Sequence, residues 1–200
     1  MANIASATGL KPVNLVGGGP FQGGTIRMFP LFDNVATGFF NGQIILIGAN
    51  GQPVAAASSP LTTSTAGVVG VCTGVSYVSP TGEYRQDQSL PANAITAGYT
   101  DVQIMVNDDP NVVMQIQGTN SYATLVLAQA AVGSNAAVAV FTGNAATGNS
   151  EMSLTNAGAA TSTLAFRIMG FVPGTETDTY PEILVKFNFG VHSYNKSTGI

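Results

Sequence analysis

Short apolar runs separated by turn residues recur along this chain from Thr25 onward. The runs are Ile26–Leu31, Gln43–Ile47, Val68–Tyr77, Val102–Val106, Val112–Gln117, Thr124–Leu127, Ala136–Phe141, Leu164–Val172 and Glu182–Phe189. Their β-branched and aromatic content suits a pleated surface and predicts strands. Val102–Asn107 and Val112–Gln117 alternate imperfectly, whereas Ile183–Phe189 shows a clear period of two at its end. Between the runs lie Ala49-Asn50-Gly51, Ser79-Pro80-Thr81-Gly82, Asp108-Asp109-Pro110-Asn111, Gly143-Asn144 and Pro173-Gly174, all turn-forming. Many short strands with such punctuation predict an all-β sandwich or barrel.

Two stretches depart from that pattern. Tyr122–Val132 has room for one or two helical turns, because Ala128-Gln129-Ala130-Ala131 has good helix propensity before the stop at Gly133-Ser134-Asn135. Residues 145–163, rich in Ala, Thr, Gly, Asn and Ser, read as loop with one strand around Met152–Leu154. The chain divides into an extended N-terminal arm, residues 1–24, and a single β domain, residues 25–200. Pro12, Pro20 and the glycines between Gly17 and Gly24 defeat a helix in the arm. Leu10, Val13, Leu15, Val16 and Phe21 nevertheless make it too apolar for a solvated tail. An arm laid on another surface, or an edge strand folded onto its own domain, satisfies both facts.

Composition sharpens this picture. Asp, Glu, Lys and Arg make up 8% of the 200 residues, against about 25% in an ordinary soluble domain. Small neutral residues take their place, so little charge repulsion holds copies apart. The net charge is −4 and the six cations are scattered at Lys11, Arg27, Arg85, Arg167, Lys186 and Lys196, which argues against direct nucleic-acid binding. No secretory signal is expected from Met1-Ala2-Asn3-Ile4, and the longest strongly apolar stretch, Ile44–Ile47, is far too short to span a membrane.

Candidate chemistry is sparse. The single cysteine, Cys72, sits in an apolar run and reads as a small buried hydrophobe, and disulfides within the chain are excluded. The single histidine, His192, has no nucleophile elbow to serve, since Gly74-Val75-Ser76-Tyr77-Val78 fails at its last position. It reads as a structural or interfacial histidine. Asp108-Asp109 lacks the spacing of a calcium loop and reads as a turn cap. Gly17–Gly24 lacks the Gly-Lys-Ser/Thr of a phosphate loop. Asn195-Lys196-Ser197 matches a glycosylation sequon by chance. Glu83, Asp87 and Glu151 form no acid–nucleophile pair. No enzyme activity, cofactor or metal is expected.

Three stretches together carry a resemblance. Gly9-Leu10-Lys11-Pro12-Val13 followed by Gly17-Gly18-Gly19-Pro20-Phe21 is similar to the start of capsid cement proteins, also called decoration proteins, of tailed bacteriophages. Val106-Asn107-Asp108-Asp109-Pro110 with Gln115-Ile116-Gln117 resembles their recurring strand–turn–strand, and Tyr180–Asn188 with Gly190–Tyr194 resembles their C-terminal strand. The glycine content of Gly17–Gly24 exceeds the family pattern. The resemblance implies a non-enzymatic virion protein on the outer surface of the capsid, all-β and often jelly-roll-like, bound to the major capsid protein and to itself as a homotrimer or dimer, with neither nucleic acid nor membrane as a direct partner. It brings no catalytic residues.

On that reading the interface residues are Leu10, Pro12, Val13, Leu15 and Phe21 of the arm and Tyr194 of the tail. A clamp across several subunits opposes the pressure of packaged DNA, each further contact acting at high effective concentration once the first is made. The alternative is a jelly-roll carbohydrate- or receptor-binding module of a phage fibre or tail. Its weakness is the absence of Trp, since sugar sites use aromatic platforms.

Overall fold

The computed structural model describes residues 5–17, 19, 26–56, 61, 67–139, 142–155 and 159–195. Among these residues the protein is all-β, with one short α-helix and a 3-10 turn. The first sheet contains β1 (Lys11–Leu15), β10 (Val112–Gln117), β15 (Glu182–Phe187), β14 (Phe166–Phe171) and β11 (Asn135–Ala136), in that spatial order. The second runs β2 (Ile26–Pro30), β9 (Thr100–Asn107), β6 (Val68–Val78), β4 (Ile44–Ile47) and β5 (Pro53–Ala55), with β7 (Tyr84–Asp87) paired to the far half of β6. Two ribbons complete it, β3 (Phe39–Phe40) with β8 (Ser89–Leu90) and β12 (Gly143–Asn144) with β13 (Asn149–Ser150). Every pairing between these strands is antiparallel. These strand orders do not establish a jelly roll.

The sheets share one large apolar cluster. Inward residues of the first sheet, Met114, Ile116, Ile183, Val185, Phe166 and Ile168, meet Ile44, Val68 and Val71 of the second. Phe166 and Phe187 stack across neighbouring strands with ring centres 5.0 Å apart. The opposite face of the second sheet, including Ile45, Cys72, Val75 and Ile104, packs under Leu31, Phe39, Leu90 and Ala94 in a second cluster. Burial on both faces explains why β6 is a nearly unbroken apolar run rather than an alternating one.

Most runs predicted as strands are strands, Val112–Gln117 with the same bounds. The expected strand at Thr124–Leu127 is a correction: the helical turns expected within Tyr122–Val132 form instead, as the helix α1 (Leu125–Ala131). The Thr124 hydroxyl accepts from the Leu127 N–H at 3.3 Å and caps the helix, while Ala128 and Ala131 are its buried residues. The run at Ala136–Phe141 shortens to Asn135–Ala136, with Val140 and Phe141 outside the described residues. Met152–Leu154 is no regular strand, yet Leu154 bridges both Gly118 and Val138, and Met152 and Leu154 are fully buried in the main core. The segment expected as one strand within a loop thus contributes to the sandwich interior through isolated bridges.

Of the two paths given for the N-terminal segment, residues 10–16 take the second. β1 pairs with β10, the Leu10 N–H donates to the Gly42 carbonyl at 2.9 Å, and the Val16 N–H donates to that of Asn111. Gly9 (φ +74°) makes the approach possible, because a Cβ there would lie 2.5 Å from the Gly42 oxygen. Pro12 is tolerated because β1 is the sheet's edge strand.

Candidate interaction surfaces

The fold distributes the expected interface residues unequally. Leu10 is fully buried in its own core and has no surface to offer. Pro12, Val13 and Leu15 are half-buried on β1, and Phe21 lies outside the described residues. Tyr194 alone stands substantially open, at 49% exposure.

Tyr194 sits in a 3-10 turn, Ser193–Asn195, and closes a small polar cluster. Its hydroxyl donates to Asp108 Oδ2 at 2.7 Å, and the same oxygen receives Arg27 Nη2 at 2.9 Å. The Arg27 guanidinium lies 5.5 Å from the centres of both the Phe29 and Tyr194 rings. Burial, and then the hydrogen bond to the Asp108 carboxylate, pushes the Tyr194 hydroxyl up to about 12. Three segments distant in sequence, β2, the turn after β9 and the C-terminal turn, are pinned here. The neighbouring Asp109 behaves as expected of a turn cap, its Oδ1 accepting the Asn111 N–H at 2.8 Å.

This cluster is poorly suited to catalysis. His192 is fully buried, its Nδ1 accepts the Tyr194 N–H at 3.3 Å, and its Nε2 makes no hydrogen bond. Desolvation holds it below the ordinary histidine value, so the ring is neutral at physiological pH and without solvent access. Cys72 is likewise buried, and burial pushes its thiol up to about 12, which leaves no thiolate to react. Among the described residues no three His, Cys, Asp or Glu side chains gather where they could hold a metal ion. Also among them, no helix is long and apolar enough to cross a membrane.

A cleft of about 560 Å³ opens beside Ala5–Thr8, lined by Asn144, Asn149, Glu151 and Tyr180 among others. Its one carboxylate, Glu151, accepts from the Thr142 hydroxyl at 2.9 Å and the Asn144 amide at 3.4 Å. Glu151 stands out in the sequence but its neighbours do not, because they come from segments that carry no motif. A carboxylate among neutral amides can orient a polar ligand, and the lining residues do not supply the paired carboxylates that most glycosidases use.

Apolar side chains, by contrast, are left in the open. Leu125, Val126 and Leu127 form an exposed first turn of α1, with Val126 at 77% exposure. Phe189 reaches 81% and lines a depression of about 240 Å³ with Val16 and Met169. Phe32 is 74% exposed near the end of β2. The chain matches no family model, no curated protein and no solved structure.

Proposed function

We propose that this protein is a non-enzymatic virion structural protein that binds the outside of a tailed-phage capsid and stabilises the shell by bridging neighbouring subunits. The observation that carries the reading is the group of open apolar side chains, Phe189, Val126 and Phe32 foremost, on a surface with so little charge. Apolar side chains this open are ones that an interaction surface gains by covering. Fully covering a Phe or Leu side chain contributes about 1.5–3 kcal/mol before the costs of association. Their location at separate places on a rigid sandwich suits contact with more than one neighbour, which is what a clamp requires. The resemblance of the N-terminal, central and C-terminal stretches to capsid cement proteins supports the same reading, and self-association as a trimer or dimer belongs to it.

The test is binding to expanded, DNA-free heads of a phage whose capsid gene neighbours the one for this chain. Saturable co-sedimentation and a higher temperature of head disruption are expected. Failure to bind at micromolar concentration, or binding that leaves disruption unchanged, overturns the reading. The cleft beside Tyr180 favours a second reading, a carbohydrate-binding module: neutral amides, one carboxylate and one aromatic ring suit a saccharide. Specific, saturable glycan binding that is lost in Tyr180→Ala distinguishes it.

A further inference from the structure

The cations that look scattered along the chain are sorted by the fold. Arg27 is bridged to Asp108 and Arg85 to Glu83, each within this chain. Among the described residues the other three, Lys11, Arg167 and Lys186, have no salt-bridge partner, and all three lie on the five-stranded sheet. They also share its outer face. Met114, Val185, Phe166 and Ile168 point into the core, so the alternate positions Gln115, Lys186 and Arg167 point away from it, and Lys11 sits opposite Gln115.

Arg167 and Lys186 stand directly opposite each other on β14 and β15. A like-charge pair in that position is destabilising, and among the described residues no carboxylate relieves it. Glu182, the one carboxylate borne by these five strands, accepts from the Gln115 and Gln117 amides instead.

The guanidinium is held ready rather than neutralised. Asn135 Nδ2 donates to the Thr161 carbonyl, and Asn188 Nδ2 donates to those of Ser162 and Leu164. That fixes both amides with their oxygens toward Arg167, whose Nε donates to Asn135 at 3.2 Å and whose Nη2 donates to Asn188 at 3.5 Å. Among the described residues that uses two of its five N–H groups and leaves three for a ligand. Among the described residues Lys186 Nζ donates to Asn111 Oδ1 alone, at 3.3 Å. Both cations line the depression that Val16, Met169 and Phe189 rim. A pre-oriented fork beside an ammonium and an exposed ring has the form of a carboxylate site with an apolar border.

We propose that this outer sheet face, centred on Arg167, Lys186 and Phe189, docks an acidic protein segment that carries apolar side chains beside its carboxylates. Resting on the capsid reading above, that segment belongs to the shell protein. A second copy bound face to face is disfavoured, because a two-fold contact would set the same cations against one another. Nucleic acid is disfavoured because three cations on a chain of net charge −4 make a poor phosphate track.

The experiment measures binding of wild type, Arg167→Gln/Lys186→Gln and Phe189→Ser to expanded heads at low and high salt, with Arg85→Gln as control. Wild-type affinity should fall with salt. The double variant should bind about tenfold more weakly at low salt and lose most of the salt dependence. Phe189→Ser should weaken binding at both salt concentrations, and Arg85→Gln should behave as wild type. Thermal unfolding verifies that each variant is folded, and Lys186→Gln alone serves should the double variant fail.

A double variant with wild-type affinity and salt slope overturns the docking surface while the capsid reading stands. A second arm titrates the isotope-labelled protein with the peptide Glu-Leu-Glu-Leu-Glu. Perturbed resonances at β14 and β15 that vanish in the double variant support the surface even where wild type binds no heads, an outcome that removes only the capsid reading. No perturbation there overturns it. So does loss of self-association in the double variant, which makes a second copy the occupant, or displacement of the peptide by duplex DNA.

Discussion

His192 gives the sharpest test of the core, because it is the chain's single histidine. Histidine is also the side chain whose ordinary pKa falls in the mildly acidic range. Its ring is fully buried, with the Phe187 ring edge-on at 5.8 Å and that of Tyr194 at 4.9 Å. Protonating it in place charges a group whose Nε2 has no hydrogen-bond partner. The Val69 and Asp108 carbonyls and the Asp108 and Asp109 carboxylates favour the charged ring, but desolvation outweighs them and holds the group below its ordinary 6.5.

The unfolded chain therefore takes up a proton near 6.5 while the folded chain does not. Stability is fully present above that value and falls as the pH drops through the window beneath it, levelling off below the folded pKa. One proton limits the slope to about 1.4 kcal/mol per pH unit, so the loss between neutrality and about pH 5 is bounded near 2 kcal/mol. Urea unfolding at closely spaced pH values measures it, and His192→Phe supplies the comparison. The variant's absolute stability is not the readout, since it also loses the acceptor for the Tyr194 N–H. The slope is. Flat wild-type stability across the window, or an equal slope in the variant, refutes the reasoning.

Tyr194→Phe deletes the donor to Asp108 but leaves the Arg27 bridge; a loss of about 1 kcal/mol in denaturant unfolding is expected. Leu154→Ala should cost about 2–5 kcal/mol, because Leu154 is fully buried in the main cluster; a surface-like loss under about 0.5 kcal/mol would place it in a loop after all. Gly70→Ala drives a Cβ into the Asn107 carbonyl oxygen, which is backbone and cannot swing aside; collapse of soluble yield or a steep fall in Tm is expected. Tyr77, whose hydroxyl donates to Asp87, is pushed up to about 12 by burial first and that bond second. Its stabilisation holds below the ordinary 10 and is lost as pH rises through about 12; alkaline unfolding followed by tyrosinate absorbance should flatten in Tyr77→Phe.

What the sequence made legible is what local patterning can encode. Val112–Gln117 and Val68–Tyr77 are dense enough in β-branched residues that only their partners were missing. Ser79-Pro80-Thr81-Gly82 declared the turn between β6 and β7, where the Gly82 N–H donates to the Ser79 carbonyl. The illegible parts depend on distant partners. Lys11–Leu15 has the prolines and glycines of a loop around it, and its strand character comes from β10, roughly a hundred residues away. Met152–Leu154 could be singled out as the one strand within a loop, but not its place in the core, where Gln117, Ala137 and Thr119 hold the Leu154 region by its backbone. The apolar, β-branched start of α1 imitates a strand, and the hydroxyl cap and alanines decide otherwise. Tyr194 could be singled out in advance, but Asp108, 86 positions away, could not be named as its partner.

The meaning of the chain's low charge depends on distant pairing in the same way. A composition with few ionic groups leaves open whether they are evenly diluted or segregated, and antiparallel pairing decides it. The order β1-β10-β15-β14 brings Lys11, Lys186 and Arg167 onto one face. The cations of the other sheet are already matched, Arg27 with Asp108 and Arg85 with Glu83. Among the described residues, a chain that is acidic overall therefore carries its unmatched positive charge on a single side. In the proposed docking, charge arranged so would direct the orientation of an encounter more than add to final affinity, with the open apolar residues beside it supplying contact once that orientation is reached. The one clue in the sequence was Lys186, sitting on the polar phase of the alternating run Ile183–Phe189. Its significance appears only when the neighbouring strand puts Arg167 across from it.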